Sequence, residues 1–170
     1  MKWQLPPKGW HKENFDGASK GNPGPLGCGR VIRNNFGGGV AAFSLPLGFQ
    51  TNHFAEASSA CQTIKLAFEM GIKKLWLEGD SNNIINCIKH ISHPSWTIAN
   101  IIEEIHAILD KFESVHVTHV FREVNPVADW FTNEVVRLDK LLTWHLGRNL
   151  GVEAKSLIEL ENIQGCTVKI

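Results

Sequence analysis

The sequence has no net charge, no long hydrophobic run and no leader-like N-terminus. The 17 basic residues balance the 17 acidic ones over 170 residues. Proteins that bind nucleic acid through charge alone are usually strongly basic, so this balance argues against nonspecific binding while allowing a local basic groove. No apolar stretch approaches the roughly 20 residues of a membrane helix, and residues 1–7 lack the apolar segment of a signal peptide. We therefore expect an intracellular, monomeric protein without a membrane span.

The sequence is also poor in cysteine and in metal-binding spacings. Its four cysteines form no C-x-x-C pair, and its histidines show no H-x-x-x-H spacing. A zinc site or a disulfide framework therefore has little support, and buried thiols in a reducing compartment are the better interpretation. We find no internal repeat and no low-complexity tract. The cysteines in question are Cys28, Cys61, Cys87 and Cys166.

The first third of the sequence has the pattern of strands joined by short turns. We predict strands at about 12–18, 27–33 and 39–45, the last limited by Pro46. The turns between them, at residues 21–24 and 34–38, are rich in glycine and asparagine. Three strands joined in this way predict an antiparallel meander.

A helical pattern follows from residue 52. The hydrophobic spacing predicts a helix that Gly71 ends, and the short apolar run after it predicts a buried strand reached by a parallel crossover. The predicted elements are a helix over 52–70, a strand over 75–77, helices over 81–90 and 101–112, a strand over 115–122 and a helix from Pro126 to near Trp144. The order βββαβααβα predicts an α/β fold: a mixed five-stranded sheet with helices on both faces. We expect an N-terminal extension over 1–11, one domain over 12–146 and a C-terminal extension over 147–170.

Four acidic residues stand at the ends or starts of these elements: Asp16, Glu56, Asp80 and Asp129. Each alone has a simpler explanation, respectively a turn residue, a first-turn helix acid, a helix N-cap and a surface charge. If the fold brings the four carboxylates together, divalent cations must offset their repulsion. The joint pattern favours a metal-dependent phosphoryl-transfer enzyme.

Four segments carry a resemblance to a known family. They are Asp16-Gly17-Ala18-Ser19-Lys20-Gly21-Asn22-Pro23-Gly24, Thr51-Asn52-His53-Phe54-Ala55-Glu56, Glu78-Gly79-Asp80-Ser81 and Arg122-Glu123-Val124-Asn125-Pro126-Val127-Ala128-Asp129. In this order they resemble the type 1 ribonuclease H family, over roughly residues 12–145. The opening Trp-Gln-Leu-Pro-Pro and the short loop before Asp129 look most like the plant and retroelement versions.

The resemblance implies hydrolysis of the RNA strand of an RNA–DNA hybrid with Mg²⁺, and it implies roles for particular residues. The catalytic and metal-binding carboxylates would be Asp16, Glu56, Asp80 and Asp129. The residues that approach the hybrid would be Ser19, Asn22, Thr51, Asn52, Ser81 and Asn82. Many relatives carry a histidine in the loop before the fourth acid; this loop has none, and Arg122 would take over part of its task.

The chemistry fits these residue types. Two divalent ions about 3.5–4 Å apart can clamp the attacking and leaving oxygens of a phosphodiester. Mg²⁺ prefers oxygen ligands, and Mn²⁺ is an alternative. Choosing RNA requires a contact to the 2′-hydroxyl, for which asparagine offers both a donor and an acceptor.

Two other functions stay open. The chain could be a non-catalytic or weakly active nucleic-acid-binding module in a retroelement polyprotein, beside a reverse transcriptase. It could also be a DNA-cleaving, integrase-like nuclease of the same superfamily. The complete set of four acids favours catalysis, whereas the neutral charge and the missing loop histidine favour weak activity. The Gly-Asn-Pro-Gly turn, Asn52 and Asn82 favour reading of a hybrid.

Overall fold

The computed structural model describes residues 4–19, 21, 23–121, 128 and 142–145. Its first half is the predicted meander: β1 (His11–Ser19), β2 (Gly24–Arg33) and β3 (Gly39–Gln50), paired antiparallel. Between β2 and β3, the side-chain oxygen of Asn34 accepts from the backbone N–H groups of Phe36 and Gly38, both at 3.0 Å. The turn chemistry of this asparagine therefore forms the expected hairpin.

The third strand is longer than the sequence predicts. It continues through Pro46 to Gln50, whereas we expected pairing to stop at this proline. The β2–β3 register shifts between Pro25 and Gly27, and Gly27 is the partner of Pro46. A bulge in one strand accommodates a residue that cannot donate to the ladder, so the proline does not end the strand.

The crossover helix α1 (Asn52–Glu69) lies where the hydrophobic spacing predicts it. The Oγ1 atom of Thr51 accepts from the backbone N–H of Phe54 at 3.3 Å, which caps the first turn. At the other end Gly71 has φ +74°, the left-handed conformation that ends many helices. Both boundaries confirm the sequence prediction.

The second half of the fold adds β4 (Lys74–Gly79), α2 (Asn82–Ile88), α3 (Ala99–Leu109), β5 (Ser114–His119) and β6 (Leu142–His145). Strand β4 lies parallel between β1 and β5, and β6 pairs antiparallel with β3. The sheet order is β5-β4-β1-β2-β3-β6. The mixed α/β fold is confirmed, and the crossover is parallel as predicted.

Two further details of the prediction are wrong. The sheet has six strands among the described residues, not five. The last helix cannot reach Trp144, because residues 142–145 form β6 against β3. A sequence run such as Leu-Thr-Trp-His has no helical period of its own, and pairing with the edge of β3 decides its conformation.

The two faces of the sheet differ in character. Alternation along β1 places Phe15 and Gly17 on the face that α1 covers, which we call the helix face. The opposite face carries Lys12, Asn14 and Asp16, and we call it the polar face. All three described helices contribute to the core on the helix face. A helix on the polar face would belong to residues outside the described ranges.

The helix face includes one buried acid. Glu13 is fully buried, and neither of its carboxyl oxygens has a hydrogen-bond partner among the described residues. Burial raises the pKa of Glu13 well above its ordinary value, and the nearby charge of Arg30 opposes that shift only in part. The carboxyl group therefore keeps its proton at a higher pH in the folded protein than in the unfolded chain.

The cysteines behave as the sequence predicts where the structure describes them. Cys28, Cys61 and Cys87 are buried and are not joined in disulfides. Burial raises the pKa of Cys61 to about 11, so this thiol stays protonated at neutral pH. Within the described ranges no helix combines the length and apolarity that crossing a bilayer requires.

Candidate active site

Asp16 lies in β1 on the polar face, opposite Gly29 of β2, and is 3% exposed. Its backbone carbonyl accepts a hydrogen bond of 2.8 Å from the hydroxyl of Ser59 in α1. Both its strand and the crossover helix therefore hold this residue in place.

Asp80 comes directly after β4, on the strand next to β1. The parallel register ends with Phe15 opposite Gly79, so Asp16 and Asp80 are the next residues at the same level of two neighbouring strands. Such strands lie about 4.8 Å apart. The imidazole Nε2 of His119 makes a 3.0 Å hydrogen bond with the backbone carbonyl of Asp80. The fold thus brings the first and third predicted acids side by side.

Glu56 enters from α1. Its backbone approaches β1 closely: a Cβ atom added at Gly17 would lie 2.5 Å from the Glu56 nitrogen. Only glycine fits this contact between strand and helix. Because Gly17 follows Asp16, Glu56 begins at the same end of the sheet. It lies beyond the first turn of α1, which has no acidic residue, so the helix dipole does not account for it.

The described residues do not form a complete metal site by themselves. They hold no group of three or more His, Cys, Asp or Glu side chains arranged to bind a metal ion. Asp129 and Arg122 lie outside the described residues, so the convergence of four carboxylates stays a prediction. Asp16 and Asp80 make other interactions, but the Asp16 Oδ2 and Asp80 Oδ1 atoms are buried and accept no hydrogen bond from the described residues. Carboxylate oxygens of this kind fit a hard divalent cation.

The predicted hybrid-contacting residues lie at the starts of two helices. Thr51 and Asn52 open α1, and Ser81 and Asn82 open α2. A 3.5 Å contact between His53 Nε2 and Asn83 Nδ2 joins the two helix starts. Thr51, Asn52 and Asn82 are exposed, so their side chains face solvent beside the acids.

These residues differ in whether their side chains also stabilise the start of a helix. The hydroxyl of Thr51 caps α1, whereas Ser81 occupies the N-cap of α2 without a side-chain capping bond. The Asp80-Ser81 pair therefore lies at the start of a helix, as an N-cap interpretation requires, but the Ser81 side chain makes no capping hydrogen bond. Ser19 ends β1, and Asn22 lies outside the described residues.

Sequence reasoning missed a buried polar network on the polar face. Lys12 Nζ donates to Glu78 Oε2 at 3.0 Å, and Asn14 Nδ2 donates to Glu78 Oε1 at 2.9 Å. Arg33 Nη1 donates to the side-chain carbonyl oxygen of Asn14 at 2.7 Å. All four side chains are buried. The signal was present, because polar residues precede each acid at the spacing of two that places strand residues on one face.

Comparison with known proteins gives the family. A family described as reverse transcriptase-like matches residues 14–135. A protein of Arabidopsis thaliana, by name a ribonuclease H protein, is 34% identical over 131 residues, covering 77% of this chain and 21% of the relative. Ribonuclease HI of Halobacterium salinarum is 31% identical over 125 residues, covering 72% of this chain and 62% of that protein. The chain therefore spans about a fifth of the plant relative and less than two thirds of the archaeal one.

A solved structure gives the same result. The crystal structure of RNase H1 from Halobacterium salinarum superposes with a TM-score of 0.73 at 29% identity, covering 77% of this chain and 99% of the archaeal chain. The resemblance read from the four sequence segments is confirmed. This chain belongs to the reverse transcriptase-like family of ribonuclease H proteins.

Proposed function

We propose that this chain hydrolyses the RNA strand of RNA–DNA hybrids. The observation that carries the proposal is the placement of Asp16 and Asp80 at the same level of two paired parallel strands, with the start of α1 against Gly17. The family supports the same activity, since the matched relatives are named as ribonucleases H. Asp129 would complete the site, and the residue before it, Ala128, is helical and buried.

In this proposal Asp16, Glu56, Asp80 and Asp129 hold two Mg²⁺ ions, with Mn²⁺ as a possible substitute. When bound, such ions make a water nucleophilic at neutral pH and stabilise the charge on the leaving oxygen. The residues of this chain supply the anionic oxygens and keep their strands in fixed register. Arg122 would assist product release in place of the missing loop histidine.

The helix starts would select RNA. Asn52 and Asn82 each offer a donor and an acceptor to a 2′-hydroxyl, the group that distinguishes RNA from DNA. Thr51 and Ser81 stand beside them, and Ser19 and Asn22 would approach from the turn after β1. The side chains of Thr51, Asn52 and Asn82 are exposed next to the acids, where the minor groove of a hybrid would lie. This arrangement favours a hybrid over a DNA duplex.

A binding module without catalysis is the second candidate. The observation that favours it is the family description, reverse transcriptase-like, together with a plant relative about five times as long as the matched region. In that case a reverse transcriptase in the same polypeptide would be the partner, and an intracellular location would follow. The two candidates differ in whether bound hybrid is cleaved.

The test uses purified protein and a labelled RNA–DNA hybrid, with and without Mg²⁺. We expect cleavage of the RNA strand only with metal. Asp16→Asn removes one anionic ligand, so its rate should fall by more than the roughly 10–100-fold typical of residues that merely support metal ligands. Asp110→Asn makes the same chemical change at an exposed position after α3 and should keep the wild-type rate.

The outcomes separate the candidates. Retention of the hybrid in a mobility-shift assay, without cleavage in either Mg²⁺ or Mn²⁺, would favour the binding module. Cleavage of a DNA duplex at the rate of the hybrid would favour the integrase-like alternative. Full activity of Asp16→Asn would contradict the site itself.

A further inference from the structure

The polar network joins the two strands that carry Asp16 and Asp80. Asn14 of β1 donates to Glu78 of β4 across 2.9 Å, and this bond crosses from one strand to the other. Asn14 precedes Asp16 by two residues, and Glu78 precedes Asp80 by two. At about 3.3 Å of rise per residue, the Asn14–Glu78 layer lies about 6.6 Å below the level of the two acids.

The chemistry of the network fixes the orientation of each group. Asn14 turns its amide nitrogen to Glu78 and its carbonyl oxygen to Arg33, at 2.9 and 2.7 Å. Glu78 receives a second bond from Lys12 at 3.0 Å and a third from Thr118 at 3.2 Å. Neither a carboxylate nor an apolar side chain at position 14 could both donate to Glu78 and accept from Arg33.

The network also carries charge. Lys12 and Arg33 place positive charge around the Asn14–Glu78 pair, below the acids. In a buried setting this charge favours neighbouring carboxylates. The cross-strand bonds resist the separation that repulsion between Asp16 and Asp80 would otherwise cause.

We propose that Asn14 and Glu78 are positioning residues, which set the separation and orientation of Asp16 and Asp80 for binding a divalent cation. The inference rests on the proposed function of these two acids. It assigns Asn14 and Glu78 no contact with metal or hybrid. Their effect passes through the paired ends of β1 and β4.

The test exchanges the amide of Asn14 and the carboxylate of Glu78 between the two positions. Asn14→Asp places a carboxylate against that of Glu78, and Glu78→Gln places two amides face to face. The double variant Asn14→Asp/Glu78→Gln restores complementarity, because the new amide at position 78 can donate to the new carboxylate at position 14, which still accepts from Arg33. It also keeps the total charge of the wild type.

The readout is binding of Mn²⁺ alone, measured from the spin-resonance signal of the free ion. We expect each single variant to weaken Mn²⁺ binding about tenfold, the lower end of the effect of losing a direct partner of a metal ligand, because Asn14 and Glu78 act on the acids through the strands. The double variant should recover most of the affinity. Thermal unfolding of every variant shows how much protein is folded at the measuring temperature.

Val31→Ala is the matched control. Val31 is buried and is the partner of Asn14 in the β1–β2 register, but its side chain is apolar. Its truncation should lower the unfolding temperature and leave Mn²⁺ affinity unchanged. An equal loss of affinity in Val31→Ala, or a double variant as weak as the singles, would overturn the proposal.

The two proposals fail in different ways. Wild-type protein that binds no Mn²⁺ would overturn the proposed function and, with it, the positioning role. Wild-type protein that binds Mn²⁺, beside single variants that bind it equally well, would overturn the positioning role alone.

Discussion

Two buried glutamates occupy neighbouring strands of one sheet but opposite faces. Glu78, on the polar face, accepts hydrogen bonds from Lys12, Asn14 and Thr118 within 3.2 Å. Glu13, on the helix face, is fully buried with no hydrogen-bond partner among the described residues. Burial is nearly equal for the two side chains, and the difference lies in the donors around them.

The two faces of the sheet differ in the hydrogen-bond donors that they place around a buried acid. Donors placed at hydrogen-bond distance make a buried carboxylate part of the framework, whereas a carboxyl group without them favours its neutral form. The polar face continues to Asp16, so its donors support charge next to the candidate active site. The helix face is packed around α1, and Glu13 is an exception within it. Three substitutions test this difference between the faces, in order of decreasing expected effect.

We expect the largest loss of stability when the carboxylate of Glu78 is removed from the polar face. Glu78→Leu takes the carboxylate from the buried Lys12 ammonium and from the Asn14 amide. Breaking a buried ion pair from one side typically costs about 3–5 kcal/mol, because the remaining charge stays in the interior. Urea unfolding should show a loss of this size in the free energy of unfolding.

A double variant tests the origin of that loss. Lys12→Met/Glu78→Leu removes both charges together, so it should be less destabilised than Glu78→Leu alone. A double variant that loses the sum of the two single effects would contradict coupling between Lys12 and Glu78. The difference between Glu78 and Glu13 would then come from the packing around each side chain and not from the ion pair with Lys12.

The next change concerns the helix face and pH. The pKa of Glu13 is raised by burial above its ordinary value of 4.5. The stability this group contributes is therefore fully present below pH 4.5 and is lost as pH rises through the folded-state pKa. The slope from one group cannot exceed about 1.4 kcal/mol per pH unit. Glu13→Gln should remove this decline from a plot of unfolding free energy against pH.

The matched control is Glu113→Gln, the same change at an exposed position. It should keep the pH dependence of the wild type. Identical pH profiles of Glu13→Gln and wild type would mean that Glu13 titrates alike in the folded and unfolded states. That result would remove the contrast with Glu78.

The smallest change trims the edge of the polar network. Thr118→Val removes a donor to Glu78 and the acceptor, at 2.7 Å, of the Trp76 ring N–H. Thr118 is half-buried, so the loss should be about 1 kcal/mol. Thermal unfolding measures this loss beside the control Thr97→Val, which removes an exposed hydroxyl that makes a 2.8 Å hydrogen bond with Ser95. If Thr118→Val lost as much stability as Glu78→Leu, then Thr118 would contribute as much to the network as Glu78 does, which would contradict this ranking.

Much of this fold is predictable from the sequence, because its elements carry local signals. The asparagine turn at Asn34, the Thr51 cap and the positive φ of Gly71 each place a boundary correctly. The errors arise where distant contacts decide. Pro46 stays within β3 because the opposite strand shifts its register, and residues 142–145 form a strand because the edge of β3 is available.

The site is predictable to a similar degree. The motif order predicts Asp16 and Asp80 as site residues, and the structure places them at the same level of two neighbouring strands. The sequence did not reveal the bonds below them, because Lys12 and Glu78 are 66 positions apart and only the sheet register brings them together. Glu13 was missed for a different reason, since a single acid in a strand does not show which face of the sheet it occupies.

Strand β6 has a practical consequence for where the chain can be shortened. It begins seven residues after the end of the family match at residue 135. A fragment cut at that limit would lack the four residues that pair with Ala41, Ala42, Phe43 and Ser44. The unpaired N–H and C=O groups along this edge of β3 could then pair with another molecule, so such a fragment should self-associate more than the longer chain.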